Sequence, residues 1–227
     1  TFVDYNKVSD ADYVRDLGNM TLDETSKTHI QQRAYVRYET NHWNYQIASE
    51  DYQTVTRGLM DQYSILPSAL VDGYYRFSNN LVVNLSNQYS VFRHTNPNKV
   101  EGNRTRVDYS LAWDQRWDWG FFNPKVQLKH LAYKLNQKPT ISPLVVNQNP
   151  EVTVPVFSVD SGIFFERDLN WLNGVTQTFE PRLMYLHSAY KDQSALPDFD
   201  TREFTPSYDL LFRDTRFVGG DRIADDK

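Results

Sequence analysis

The chain has 227 residues, a formal net charge of −5 and no cysteine. The missing cysteine excludes disulfides, thiolate metal sites and thiol nucleophiles in this stretch, and the acidic balance argues against general nucleic-acid binding. No apolar run approaches the roughly 18 residues of a membrane helix, although a membrane barrel needs only alternate apolar residues.

Alternating polarity predicts a series of β-strands, because a strand points successive side chains to opposite faces. The alternating segments are residues 28–40, 43–55, 63–77, 81–94, 104–114, 122–132, 154–172 and 176–190. They predict four hairpins and about eight strands. Asn173-Gly174 is the strongest hairpin turn signal, and Pro181 predicts a local bulge or break in pairing.

The connections between these strands differ at the two ends of the predicted sheet. Short turns near residues 41, 79, 119 and 174 alternate with longer polar connections, and aromatic residues crowd the short-turn end. This pattern is typical of an outer-membrane barrel, so the predicted fold class is all-β, an antiparallel transmembrane β-barrel. The predicted aromatic girdle consists of Trp43, Phe77, Trp113, Trp117, Trp119 and Trp171.

The two faces of the strands are expected to meet different media. The predicted lipid-facing residues are Val36, Val83, Leu85, Val107, Leu111, Val126 and Leu128. The predicted lumen-facing residues are Arg33, Arg37, Arg104, Arg106, Asp108, Lys125 and Lys129. The latter set forms either a hydrated wall balanced in charge or a surface that contacts a polar glycan or a plug protein.

No catalytic, cofactor or metal site is predicted. The five histidines lie at no metal-ligand spacing. The sequence contains no GxSxG, Walker or GxGxxG motif. Aspartates at 198–200 are best interpreted as solvated loop carboxylates. The chain is therefore not expected to be an enzyme.

Several long stretches resemble the LptD family of LPS-assembly proteins, also called organic-solvent-tolerance proteins. They are FVDYNKVSD (2–10), FERDL (165–169), TQTFEPRLMYL (176–186), YKDQSALPDFD (190–200) and SYDLLFRDTRFVGGDRIAD (207–225). The resemblance implies a Gram-negative outer-membrane protein with a periplasmic N-terminal domain and a barrel of about two dozen strands. It also implies that Asp4, Tyr5, Asn6, Lys7 and the segment from Tyr190 to Asp225 belong to surface or lumen-folding loops.

The same resemblance implies a set of partners. The barrel is expected to enclose the lipoprotein LptE and to pass lipopolysaccharide from periplasmic bridge proteins to the outer leaflet, in contact with membrane lipids. Residues 1–227 are expected to lie within one barrel domain, with the periplasmic domain and the last barrel strands outside this chain. No nucleic acid or cofactor is expected.

Two alternatives remain open from the sequence. The first is a passive porin, in which residues 193–227 would fold inward and constrict a pore. The second is a soluble all-β module that binds glycans.

Overall fold

The computed structural model describes residues 1–9, 28–56, 58–136, 147–169, 174–205, 207, 210 and 213–223. In these ranges the long regular elements are β-strands. The described part of the chain contains no helix long and apolar enough to cross a membrane.

The strands follow one another along most of the chain. They are β1 (Phe2–Tyr5), β2 (His29–Glu39), β3 (Trp43–Thr54), β4 (Ser64–Arg76), β5 (Leu81–Arg93), β6 (Glu101–Trp113), β7 (Gln115–Trp117), β8 (Gly120–Asn136), β9 (Glu151–Ile163), β10 (Phe165–Asp168), β11 (Thr176–Phe179), β12 (Arg182–Ser188), β13 (Arg202–Glu203) and β14 (Phe217–Val218).

Most of these strands form one antiparallel meander. Its order is β1-β2-β3-β4-β5-β6-β8-β9-β12, with β7 beside β8. Strands β10 and β11 pair separately, and so do β13 and β14. The all-β antiparallel prediction is confirmed. Within the described ranges β1 and β12 are the two edges and do not pair with each other, so the sheet is not closed into a barrel.

The predicted hairpins are confirmed, with two differences in detail. Residues Phe2–Tyr5 form an edge strand against β2, so Asp4 and Tyr5 do not belong to a loop. A register shift between Ile65 and Ser68 turns Ile65 to the opposite face from Ala69, where it packs on the buried core. Pairing breaks at Pro181, as predicted, and separates β11 from β12.

The register divides the sheet into two chemically distinct faces. Residues directly opposite in an antiparallel pair share a face, and Arg104 lies opposite both Ser90 and Tyr133. We call this side the polar face. The apolar face carries Leu111 opposite Val83 and Val126, and Leu111 is 42% exposed.

The buried core lies on the polar face, at the end of the sheet with the longer connections. Its strand residues are Phe92, Leu131, Tyr133, Leu135, Val152, Val154 and Val156. Three residues from the end of the chain complete it: Leu196, Phe199 and Ile223. The polar face therefore has an apolar patch at one end, and that patch is covered by the chain itself.

Candidate functional site

The described residues between 190 and 223, here called the C-terminal segment, lie across the polar face next to the buried core. Phe199 stacks on Phe92 with ring centroids 4.5 Å apart. Ile223 is 1% exposed. Its backbone exchanges two hydrogen bonds of 3.0 Å with the side-chain amide of Gln193, which ties the two ends of the segment together.

A buried ion cluster fixes this segment to the sheet. Arg104 on β6 is 2% exposed. Its two terminal nitrogens donate to both carboxylate oxygens of Asp200 at 2.7 and 2.8 Å. Nη1 also donates to Oδ1 of Asp221 at 2.8 Å. The guanidinium lies 4.6 Å from the centre of the Phe92 ring, so a single strand residue holds two parts of the segment.

Asp221 is the most fully bonded group of the cluster. Its Oδ1 also accepts the Tyr133 hydroxyl at 2.7 Å. Its Oδ2 accepts the backbone N–H groups of Phe199 and Asp200 at 2.7 and 2.8 Å. All these acceptor positions are needed, because a buried donor without a partner costs about 1–3 kcal/mol.

The two carboxyl groups of the cluster have opposite pKa shifts. Burial raises the pKa of Asp221, and the neighbouring charge of Asp200 adds to the rise. Burial also acts to raise the pKa of Asp200, but its hydrogen bonds to Arg104 and the guanidinium charge outweigh that effect and lower it. One cation thus keeps Asp200 ionised beside a second carboxyl that is harder to ionise.

Two glycines allow this close approach. Gly219 has a φ of +87°, and a Cβ there would collide with the carbonyl of Asp200. At Gly220 a Cβ would collide with the guanidinium of Arg104. The sequence GGD at 219–221 therefore fits the ion cluster because only residues without side chains leave room for it.

A second buried cation contacts the same segment. Lys129 on β8 is 3% exposed and donates to Oδ2 of Asp214 at 2.7 Å. It lies 3.7 Å from Asp108 on the adjacent strand. Burial acts to raise the pKa of Asp214, but the charge of Lys129 lowers it overall. Arg106 reaches the carbonyl of Gly219 at 3.3 Å.

The structure brings all seven predicted lumen residues onto the polar face, in two environments. Arg104 and Lys129 are covered by the C-terminal segment. Contact of the polar face with a plug protein or a glycan stays a prediction. Away from the segment, Arg33 pairs with Glu50 at 2.9 Å and Arg37 with Glu39 at 3.3 Å. Lys125 is half-buried and pairs with no carboxylate among the described residues.

The predicted lipid-facing residues all lie on the apolar face. Val36 is 57% exposed, and Val126 and Leu128 are each 48% exposed. Val83, Leu85 and Val107 are partly exposed. Contact of this face with lipid stays a prediction.

The aromatic residues of the predicted girdle lie beside the short turns, apart from Trp171, which is outside the described residues. Trp117 and Trp119 stack with centroids 5.0 Å apart. Trp113 donates to the carbonyl of Asn79 at 3.2 Å. Trp43 donates to the Tyr75 hydroxyl at 2.7 Å and covers the Cβ-free Gly73. Their position in a membrane interface stays a prediction.

The short-turn half of the polar face, here called the open half, is lined by small polar side chains. Asn84 donates to Ser110 at 3.1 Å, and Ser86 donates to Asp72 at 2.7 Å. Arg182 makes two hydrogen bonds of 2.7 Å to Asp160. This surface offers hydroxyl and amide groups to a partner. The described residues contain no cluster of three or more side chains able to hold a metal ion.

Sequence reasoning did not find Asp200 and Asp221 as partners of Arg104. The sequence predicts solvated carboxylates in the DFD stretch at 198–200. This prediction is wrong for Asp200, which binds the buried guanidinium together with Asp221. The available signal was the GGD sequence at 219–221, where two consecutive glycines precede an acidic residue in an otherwise glycine-poor chain.

Comparison with known proteins identifies the family. Residues 1–227 match the family described as LptD, LPS transport system D. The chain belongs to the LptD family. The LPS-assembly protein LptD of Hahella chejuensis is 36% identical over 98% of this chain, and that of Alkalilimnicola ehrlichii is 35% identical over 98%. The corresponding Pseudomonas syringae protein is 30% identical over the whole chain.

The chain spans less than a third of the LptD proteins it matches. It covers 29% of the Hahella protein and 28% of the Pseudomonas protein. The family resemblance found in the sequence is confirmed. LptD proteins are outer-membrane proteins of Gram-negative bacteria that act in lipopolysaccharide assembly, and this chain corresponds to a part of such a protein.

Proposed function

We propose that this chain forms a section of the wall of an outer-membrane β-barrel that inserts lipopolysaccharide into the outer leaflet. The observation that carries the proposal is the family match over the whole chain, joined to a sheet with one apolar and one polar face. In this arrangement the apolar face meets lipid and the polar face lines a wet lumen. The wall positions the substrate and its partners and catalyses no reaction.

The open edges of the sheet support a larger closed structure. An unpaired strand edge in a bilayer leaves backbone N–H and C=O groups without partners, at a cost of several kcal/mol for each group. Among the strands that the structure describes, β1 and β12 both present such an edge. We propose that further strands of the intact protein pair with them and complete the barrel.

The covered and open parts of the polar face have different proposed partners. The C-terminal segment occupies the end with the longer connections, and the open half remains available for the lumen lipoprotein LptE and for lipopolysaccharide in transit. Periplasmic bridge proteins would deliver the substrate to the intact protein. The partly exposed side chains of Asn84 and Ser86 suit contacts made by many modest hydrogen bonds.

Site-specific photocrosslinking in the intact protein tests this proposal. A crosslinker at Lys125, on the open half, should give adducts with a small lipoprotein or with lipopolysaccharide. A crosslinker at Lys129 should instead give an internal crosslink to the C-terminal segment, because Lys129 is covered by it.

Two further measurements complete the test. Depletion of the intact protein should lower lipopolysaccharide on the cell surface, and the purified protein should conduct little current, because a filled lumen leaves no wide pore. A large steady conductance with no adduct from Lys125 would instead indicate a passive porin. Extraction from cells without detergent would refute the membrane assignment.

A further inference from the structure

A cavity of about 260 Å³ lies where the C-terminal segment meets the polar face, at the end of the sheet with the longer connections. Val154 and Ile223 supply part of its apolar lining, and residues 189–194 form one side. Three cationic residues line it as well: Lys191, Arg216 and Arg222. Among the described lining residues only Asp192 is acidic, so this described lining carries a net positive charge within a chain that is acidic overall.

The positive charge of this cavity is only partly neutralised by the protein. Arg222 donates to the carbonyls of Pro197 and Asp221, each at 2.8 Å. These neutral acceptors fix the guanidinium in place without cancelling its charge. Lys191 is exposed and makes no hydrogen bond or ion pair with the residues that the structure describes.

The remaining charges do not reverse this balance. Arg216 pairs with Glu203 at 3.1 Å, but both side chains are more than half exposed, and such surface pairs contribute little. The Asp192 carboxylate accepts the backbone N–H of Ser194 within its own turn, and this hydrogen bond lowers its pKa. A cavity with a fixed guanidinium, an ammonium group that has no partner among the described residues, and a second arginine favours an anion of more than one charge.

We propose that this cavity binds a phosphoryl group carried on a saccharide. Arginine recognises phosphate oxygens through parallel N–H donors, and lysine adds a mobile point charge. The exposed ring of Tyr190 and the hydroxyl of Ser194 line the same cavity and suit a sugar ring and its hydroxyl groups. The volume is just below the roughly 300–1000 Å³ of pockets that enclose drug-sized ligands, which fits one phosphorylated sugar and not an acylated lipid.

The source of this ligand rests on the proposed function. In a lipopolysaccharide transporter, phosphorylated sugars of the substrate pass along the polar face toward the longer connections, which are the outward loops of outer-membrane barrels. Free inorganic phosphate carries the same group. The experiment below separates these two sources.

A binding measurement on the intact protein, purified in detergent with its lumen partner, tests the site. The probe is a fluorescent, lipid-free core oligosaccharide of lipopolysaccharide, used with its phosphates and again after enzymatic dephosphorylation. The phosphorylated form should bind at least about tenfold more tightly, because a charged hydrogen bond contributes about 1.5–3 kcal/mol. Equal affinity for the two forms would overturn the proposal.

Matched variants locate the binding. Lys191→Gln should weaken binding of the phosphorylated probe by about tenfold. Arg202→Gln removes an exposed cation of the same segment that does not line the cavity, and it should leave binding unchanged. Equal effects of the two variants would show non-specific charge attraction and contradict the site. Inorganic phosphate and unlabelled oligosaccharide are then compared as competitors of the probe. If both displace it at the same concentration, the site recognises phosphate alone and the proposal that it recognises the sugar is contradicted.

The outcome is separable from that of the proposed function. Surface lipopolysaccharide and the adducts from Lys125 report on transport and do not depend on this cavity. If surface lipopolysaccharide does not depend on the protein and Lys125 gives no adducts, while the oligosaccharide still binds, the proposed transport function alone is refuted. Normal transport with no phosphate-dependent binding would refute the cavity assignment alone.

Discussion

Asp221→Asn should release the C-terminal segment from the sheet while leaving the strands paired. The carboxylate accepts two donors on each oxygen: Arg104 and Tyr133 on Oδ1, and two backbone N–H groups on Oδ2. An amide of the same shape must place its NH₂ group against one of these donor pairs, whichever way it is turned. No rotation of the side chain therefore restores the site.

The expected magnitude follows from burial. Asp221 is fully buried and Arg104 nearly so, and breaking a buried ion pair by altering one partner costs about 3–5 kcal/mol. Tyr133 is buried as well, so its hydroxyl finds no alternative partner in water. The segment should open more often by roughly two to four orders of magnitude.

Hydrogen exchange on the intact protein in detergent measures this opening. The backbone amides of Phe199, Asp200 and Ile223 should lose protection in the variant, whereas amides in the middle of β6 and β8 should keep it. Asp198→Asn is the matched control, because Asp198 is exposed and, among the described residues, accepts only the backbone N–H of Thr201, at 3.3 Å. Equal protection in the two variants would refute the assignment of Arg104, Asp200 and Asp221 as the anchor of the segment.

Four further predictions follow from the same structure. Leu128 lies at the middle of the 17-residue strand β8, and Leu128→Arg should lower the free energy of unfolding of the membrane-inserted protein by about 2–4 kcal/mol in chemical unfolding. The control Gln88→Arg, on the polar face, should lower it much less. Equal losses of stability in the two variants would refute the lipid-facing assignment. Gly219→Ala should increase proteolysis of the C-terminal segment, because a Cβ there collides with the Asp200 carbonyl. Gly174 also has a positive φ but has open space around it. Gly174→Ala should therefore lower the free energy of unfolding by only about 1–2 kcal/mol. The lowered pKa values of Asp200 and Asp214 give stability that is lost on acidification, and the raised pKa of Asp221 acts in the opposite sense. Because two lowered groups oppose one raised group, amide protection of the segment should fall as the pH drops below about 4. Protection that stays unchanged down to about pH 3 would contradict this. The complex with the lumen partner should survive about 1 M salt during purification, because it is held by hydrogen bonds to the open half. Salt at this concentration screens exposed ion pairs but does not break such hydrogen bonds. Dissociation of the complex would show that ion pairs hold it.

The sheet could be predicted from the sequence because its signal is local. Alternation in segments such as 104–114 and 122–132 fixes both the strand and the face of every side chain, since a shift of one residue would exchange the faces. The exceptions are places where this period is interrupted. Ile65 changes face at a register shift beside Pro67, and alternation alone carries no information on where an extra residue is accommodated.

The anchor of the C-terminal segment could not be predicted in the same way. Arg104 and Asp221 are 117 residues apart in sequence, and no periodic pattern connects them. The alternation placed Arg104 correctly on the polar face, but it assigned the same environment to Arg104, Arg37 and Lys125. Burial separates these three residues, and it depends on a segment whose own sequence shows no regular alternation.

The charge distribution explains why one end of the polar face is covered and the other is not. Under the C-terminal segment, two cations of the sheet, Arg104 and Lys129, meet Asp200, Asp221 and Asp214 of the segment. Burying either cation without these carboxylates would leave an uncompensated charge in the core and would destabilise the protein. The segment therefore covers the sheet where its aspartates neutralise the two cations. On the open half the cation Arg182 is already paired within the sheet, with Asp160. The partly exposed Lys125 remains there beside hydroxyl and amide groups, and such a surface tolerates solvent, a glycan or a partner protein without any rearrangement of the wall.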